Sequence, residues 1–187
     1  QSTDTTFAAE IAAHRQHYKD DFIKEPYSPL KTADTAFLDF YLPDPAWRTS
    51  ARFSPSREAR PFDMLTYSGV KRQYQPYGQI QFDLQGQSYT LTLYQSLDLM
   101  KSPEYQDYLF LPFKDLGNGE ETYGGGRYLD FRTGDIQDGL LLLDFNKAYN
   151  PYCAYKDGYS CPIPPKENHL DLAVQAGEKV FRGGKKH

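Results

Sequence analysis

Apolar residues recur with two different periods along this chain, and the change of period divides it. Phe7, Ile11, Tyr18 and Phe22 recur at helical spacing, with Ala8, Ala12 and His14 beside the same face. The spacing predicts an amphipathic helix over 6–23, stopped before Pro26 and preceded by a disordered stretch over 1–5. Its apolar stripe needs a cover, so the helix is expected to pack on the rest of the chain. From Phe37 onward the period becomes two. Short strands are expected at 37–40, 51–53, 64–67 and 70–74, set between Pro, Asp and Ser turns.

The clearest element is a hairpin. Ile80, Phe82 and Leu84 alternate with Gln79, Gln81 and Asp83, and beyond Gln85-Gly86 the alternation resumes with Tyr89, Leu91 and Leu93. Further strands are expected at 108–113, 127–131 and 140–145, with a loop or helical turn at 97–105 and a long turn at 115–124. A short helix is expected to start near Asn168 and reach Ala176, where Gly177 stops it. Many short strands with regular turns predict a mainly β chain of the α+β kind. The expected architecture is an antiparallel β-sandwich or barrel with an N-terminal amphipathic helix and a short C-terminal helix. No repeat or linker splits the chain, so residues 24–181 are read as a single β-rich domain. A frayed basic tail over 182–187, with Arg182, Lys185 and Lys186, is expected to follow.

Composition narrows the function classes. A net charge of −4 leaves no broad basic footprint, so no nucleic-acid partner is expected. No apolar run approaches the roughly 20 residues needed to cross a bilayer, so no transmembrane segment is expected. Aromatics reach 16%, with 16 Tyr and 12 Phe, which suits half-exposed strand faces or a pocket for polar, ring-containing ligands. The opening Gln-Ser-Thr-Asp-Thr-Thr has the polar character that follows a cleaved secretory signal, although a trimmed chain looks the same. A periplasmic or secreted location is the expectation.

The two cysteines point the same way. Cys153 and Cys161 bracket a turn-forming stretch in which Gly158 can fold the chain back. A disulfide there closes a small loop; a pair of structural thiols is the alternative. Two cysteines with His169 as the nearest further ligand do not complete a structural zinc site, and no metal or cofactor is expected. His14 and His17 lie three apart on the helix, a spacing too weak on its own to assign a metal.

Candidate chemistry concentrates in 122–178. Gly124-Gly125-Gly126 followed by Arg127 is either a backbone nest with an anion clamp or a glycine turn entering a strand. It lacks the P-loop Lys-Ser/Thr. Asp144 and Asn146 share a face where the apolar strand Leu140–Leu143 leaves the core, either lining a site or bracing a turn, and Asn150 and Asn168 are open to the same two readings. No Gly-x-Ser-x-Gly elbow is present. Cys153 or Cys161 with His169, and Asp144 with Glu178, are conceivable catalytic pairs whose distances the sequence does not fix.

At these residues the chain resembles a known family. Tyr-Gly-x-Gly-Arg-Tyr at 123–128, Leu-Asp-Phe-Asn-x-Ala-Tyr-Asn-Pro-x-Cys-Ala-Tyr at 143–155, Cys-Pro-x-Pro-Pro-x-Glu-Asn at 161–168 and Ala-Gly-Glu at 176–178 resemble the bacterial and archaeal proteins grouped as domain of unknown function 1684. Lys24 with Ser28-Pro29-Leu30, the stretch from Phe37 to Tyr41 and the Gly-x-Ile-x-Phe of 78–82 are similar to its opening and its hairpin. The resemblance implies that Tyr123, Arg127, Asp144, Asn146, Tyr149, Asn150, Cys153, Cys161 and Asn168 belong to the family signature. It brings no activity with it.

Together these features predict a pocket built from 122–178 that takes a small polar or anionic molecule. Arg127 is expected to hold it, with Tyr123, Asn146, Tyr149, Asn150, Asn168 and His169 as further ligand-binding residues. A hydrolase acting on a sugar or ester, with Asp144 as general acid or base, is the catalytic alternative. Motifs that serve only the fold are the third.

Overall fold

The computed structural model describes residues 2–187, with side chains from Thr5 onward. Helix α1 spans Ser2–Lys24 and stops ahead of Pro26. It starts earlier than the apolar period suggests: residues 2–5, expected to be disordered, continue the helix, and Gln1 lies outside the described residues. Phe7, Ile11 and Phe22 are buried, so the apolar stripe does find its cover. Phe22 joins a cluster with Leu30, Leu38, Tyr155 and Phe181.

Among the described residues seven antiparallel strands follow: β1 Arg48–Pro55, β2 Phe62–Met64, β3 Arg72–Leu84, β4 Gln87–Ser96, β5 Tyr108–Phe113, β6 Arg127–Arg132 and β7 Leu140–Asp144. Their order is β6-β5-β4-β3-β1-β7, with β2 paired to β3. The β3–β4 hairpin closes through Gln85 and Gly86, whose φ values of 50° and 77° match the left-handed pair that a two-residue turn requires. The inner face of the sheet carries the main core, which includes Ile80, Phe82, Leu91, Leu111, Leu141 and Phe145.

Topology forces the sheet to curl. β6 and β7 are opposite ends of the six-strand order, and a flat sheet would hold them roughly 24 Å apart. Only 133–139 join them, folded into a 3-10 turn at Thr133–Asp135 and a tight turn in which Gln137 and Leu140 exchange both backbone hydrogen bonds at 3.0 Å. The ends therefore meet at that turn and the sheet becomes a half-barrel, helped by the bulge between Pro76 and Gly78 in β3. This is the barrel branch of the expected sandwich-or-barrel fold.

Three expectations are corrected. The stretch 37–40 is a 3-10 turn at Thr32–Phe37 followed by one bridge, Phe40 to Glu178. The short C-terminal helix is absent: a 3-10 turn at Lys166–Asn168 is followed by non-helical chain through Gly177. The buried Leu170, Val174 and Ala176 imitate a helical stripe, but the backbone of Lys114 and Leu116 and the side chains of Arg127 and Asp115 satisfy this segment's backbone instead. The tail is docked rather than frayed, with Lys185 on Asp157 at 2.9 Å and Lys186 on Asp34 at 2.6 Å.

Candidate functional site

The residue expected to clamp a ligand is sealed inside. Arg127, at the start of β6, is 0% exposed, and so is the side chain of its ion-pair partner Asp115 at 3.1 Å. Its Nη1 donates to the carbonyls of Ala176 and, at 3.2 Å, Glu178; its Nη2 donates to Val174 O at 2.9 Å. Carbonyls at alternate residues turned to one side define extended chain, which is why 174–178 is not helical. Asp115 completes the clamp by accepting the Val174 N–H at 3.3 Å. The last glycine of the run before Arg127 packs against the protein itself. Gly126 has φ +91°, and a Cβ there would lie 2.6 Å from the Phe113 carbonyl oxygen, so its backbone is pressed against the protein's own strand.

The other signature residues divide in the same way. Asn168 is fully buried and works as a substitute strand rung: Oδ1 accepts from Thr92 N, and Nδ2 donates to Thr92 O and Pro112 O, all within 2.9 Å. Asn146 exchanges bonds with the backbone of Asp44, donating from Nδ2 and accepting at Oδ1 at 2.9 Å each. Asp144 accepts from Asn146 at Oδ1 and from Arg48 Nε at Oδ2, at 2.8 Å each. Arg48 in turn reaches Glu10 of α1 at 2.7 Å, so this chain ties the helix to β1 and β7. Tyr123 is half-buried, near Tyr67 and away from the others. His169 is exposed, its Nε2 3.1 Å from Pro164 O.

Asn150 belongs to a second buried centre, built on Glu178. The Glu178 carboxylate accepts Asn150 N–H at 2.9 Å, the Tyr18 hydroxyl of α1 at 2.6 Å and the Tyr155 hydroxyl. Burial pushes its carboxyl up to about 7 against the lowering pull of those donors and of Arg127. Asn150 Nδ2 donates to Lys179 O at 3.0 Å, while its Oδ1 is buried without a partner. Cys153 and Cys161 form a disulfide with a Cα–Cα distance of 6.3 Å.

The open chemistry lies one wall away. Where β6 and β7 splay apart beyond their shared turn, α1 lies across the gap and a cleft of about 800 Å³ remains. His14, His17 and Asp21 of the helix, Tyr128 to Phe131 of β6 and Leu142 of β7 line it. Of the residues singled out from sequence, Asp144, Tyr149, Asn150 and Cys161 reach this cleft; Tyr123, Arg127, Asn146, Asn168 and His169 do not. Asp144 arrives with both oxygens already engaged.

Asp130 is different. Its Oδ1 accepts the hydroxyls of Tyr108 at 2.6 Å and Tyr149 at 2.7 Å, while among the described residues Oδ2 has no hydrogen-bond partner. By accessible surface the residue is exposed, within the concave wall of the cleft. Desolvation there raises its carboxyl above the usual range, with the two hydroxyls pulling the other way. Burial and Lys147 likewise lower His14 from its ordinary value, favouring the neutral imidazole. Sequence reasoning passed over Asp130. The available signal was a carboxylate in mid-strand, between Tyr128-Leu129 and Phe131, where β-propensity disfavours it.

Comparison with known proteins places this geometry in context. A family model described as "Protein of unknown function (DUF1684)" matches residues 35–179. Among solved structures, the solution NMR structure of an uncharacterized protein of Haloarcula marismortui is similar at 33% identity and a TM-score of 0.71, covering 96% of this chain and 97% of that one. No curated protein matches.

Proposed function

The chain belongs to the DUF1684 family of proteins of unknown function, and from its seam cleft we propose that it binds a small organic molecule between α1 and the splayed strands β6 and β7. The carrying observation is Asp130, a carboxylate fixed by two tyrosine hydroxyls on one oxygen and open to the cleft with the other. Pockets that bind small molecules combine an apolar wall with a few placed polar groups, and a volume of several hundred Å³ is their usual size. The pocket first expected around Arg127 gives way to this one, because Arg127 has no path to solvent. With it goes the anion clamp: among the described residues the only lysine or arginine on the cleft wall is Lys147, already 3.4 Å from Glu10. The hydrolase reading loses its acid or base in the same way, since Asp144 spends its oxygens on Arg48 and Asn146.

An oxidising location, periplasmic or secreted, is part of the proposal. The Cys153–Cys161 bond supports it, since disulfides persist where thiols are not kept reduced. Among the described residues no helix is long and apolar enough to cross a membrane.

The test is a fragment screen by amide chemical shifts on the labelled protein. Binders are expected to move the resonances of 128–131, Tyr149 and the 14–21 stretch of α1, and to lose affinity in Asp130→Asn. Binders that move only the 122–127 region would overturn the cleft assignment.

A further inference from the structure

We infer that the ligand of this cleft is an organic cation, an alkylammonium whose charged head sits at Asp130 and whose apolar body runs along the rings of α1. The inference rests on the cleft being a ligand site, and names what that site selects.

Three observations lead to it. Among the described residues Asp130 forms no ion pair, because the nearby Arg132 is committed to Glu104 O at 2.6 Å and Asp107 Oδ1 at 2.8 Å. Both groups that do bond Asp130 are neutral phenols. A carboxylate on a cleft wall, fixed on one oxygen and paired with no cation, is a ready counter-charge for a cationic guest.

The second observation is an unbroken run of aromatic rings. Tyr128 meets Tyr149 at 5.9 Å, Tyr149 meets Tyr18 at 5.9 Å, and Tyr18 meets Phe22 at 4.9 Å. Phe22 then meets Tyr152 at 5.9 Å, and Tyr152 meets Tyr159 at 5.2 Å. All six line the cleft, and the run begins beside Asp130. Ring faces attract ammonium groups and also cover alkyl chains, so one wall serves both ends of such a ligand.

The third is the sign of the surroundings. Asp21, Glu25 and Asp135 stand on the same walls, with Lys147 as the one lysine or arginine there among the described residues, and the chain as a whole carries −4. That field draws cations and repels anions. An inorganic divalent ion does not fit, since among the described residues no three His, Cys, Asp or Glu are grouped to hold one. A neutral sugar would use the rings but would leave Asp130 uncompensated.

Three probes of closely matched alkyl length separate these classes: hexyltrimethylammonium, hexanoate and hexyl glucoside, each titrated into the labelled full chain by NMR and calorimetry. Hexyltrimethylammonium is expected to bind and to shift Tyr128, Tyr149 and Tyr18, more tightly than tetramethylammonium, which lacks the tail. Asp130→Asn keeps the shape and the tyrosine bonds but removes the charge, and is expected to weaken it about 10-fold or more. If hexyl glucoside or hexanoate occupies the cleft as well as the cation does, the charge assignment falls while the ligand site stands. If none of the three moves a cleft resonance, both fall. The comparison among probes uses the unmodified protein, so it decides the matter even if Asp130→Asn does not fold.

Discussion

A guanidinium cut off from water needs its charge matched and most of its N–H groups bonded, and Arg127 meets that demand through Nη1 and Nη2 while its Nε stays unpartnered. Asp115 supplies the charge, and three backbone carbonyls supply acceptors. Breaking a buried pair leaves its partner charged and dry, so Arg127→Met is expected to lower stability by about 3–5 kcal/mol in denaturant unfolding. An unchanged midpoint would mean the residue holds something other than the fold. Glu178 poses the opposite problem, a buried carboxylate with hydrogen-bond donors but no cation in contact. Its folded pKa of about 7 stands above the ordinary 4.5, so the native state holds a proton that the unfolded chain has released. Its stabilising contribution is full below pH 4.5 and is lost as pH rises towards 7, by up to about 3 kcal/mol. Burial lowers His14, whose effect with pH runs the other way, so the clean measurement is a difference. Unfolding free energies of the protein and of Glu178→Gln, taken from pH 4 to 8, should differ in slope over that window. Parallel curves would show that Glu178 titrates normally.

At the scale of elements, the disulfide and α1 fasten the two sides of the cleft. Cys153 and Cys161 are eight residues apart, and their bond joins the 3-10 turn at Tyr152–Ala154 to the arm that carries Pro162. A loop of that size is worth about 2–3 kcal/mol on the chain-entropy model, so the Cys153→Ser, Cys161→Ser double variant should unfold earlier by that amount. Thiol titration of the denatured, unreduced protein should find none; two reactive thiols would remove the bridge. Much of this level could be read from sequence. The hairpin of β3 and β4 was legible because Ile80, Phe82, Leu91 and Leu93 alternate and Gln85-Gly86 interrupts them. Helix α1 was legible in its apolar period, though not in its polar start. The 168–176 segment was misread because its shape is set by Arg127 and Asp115, dozens of residues away, rather than by its own spacing. Side-chain type does not tell whether an arginine faces a ligand or a carbonyl. That depends on which strand ends the fold brings together.

The whole molecule is governed by one consequence of strand order: ends that must meet at 133–139 cannot stay paired beyond it. The splayed β6 and β7 present edge strands, and edges are managed by pairing or by cover. Here α1 is the cover, held by Glu10 to Arg48, by Arg15 to Tyr41 O at 2.8 Å and by Tyr18 to Glu178 at 2.6 Å. Asp130 became a candidate only through this closure, since Tyr108 comes from β5, Tyr149 from the chain after β7 and Tyr18 from α1. No local sequence pattern records that meeting. The same closure makes a prediction about dynamics. A helix fastened across a seam by one apolar stripe and a few polar contacts should open locally at lower free energy than the β3–β4 hairpin, whose side chains form the main core. Its amides should therefore exchange with solvent deuterium well before those of 80–93. A compound seated in the cleft touches Tyr18 and Phe22 as well as Tyr128, so its binding must oppose that opening and slow exchange across α1 while leaving the hairpin unchanged. Protection confined to the sheet, with α1 exchanging as before, would place the ligand elsewhere.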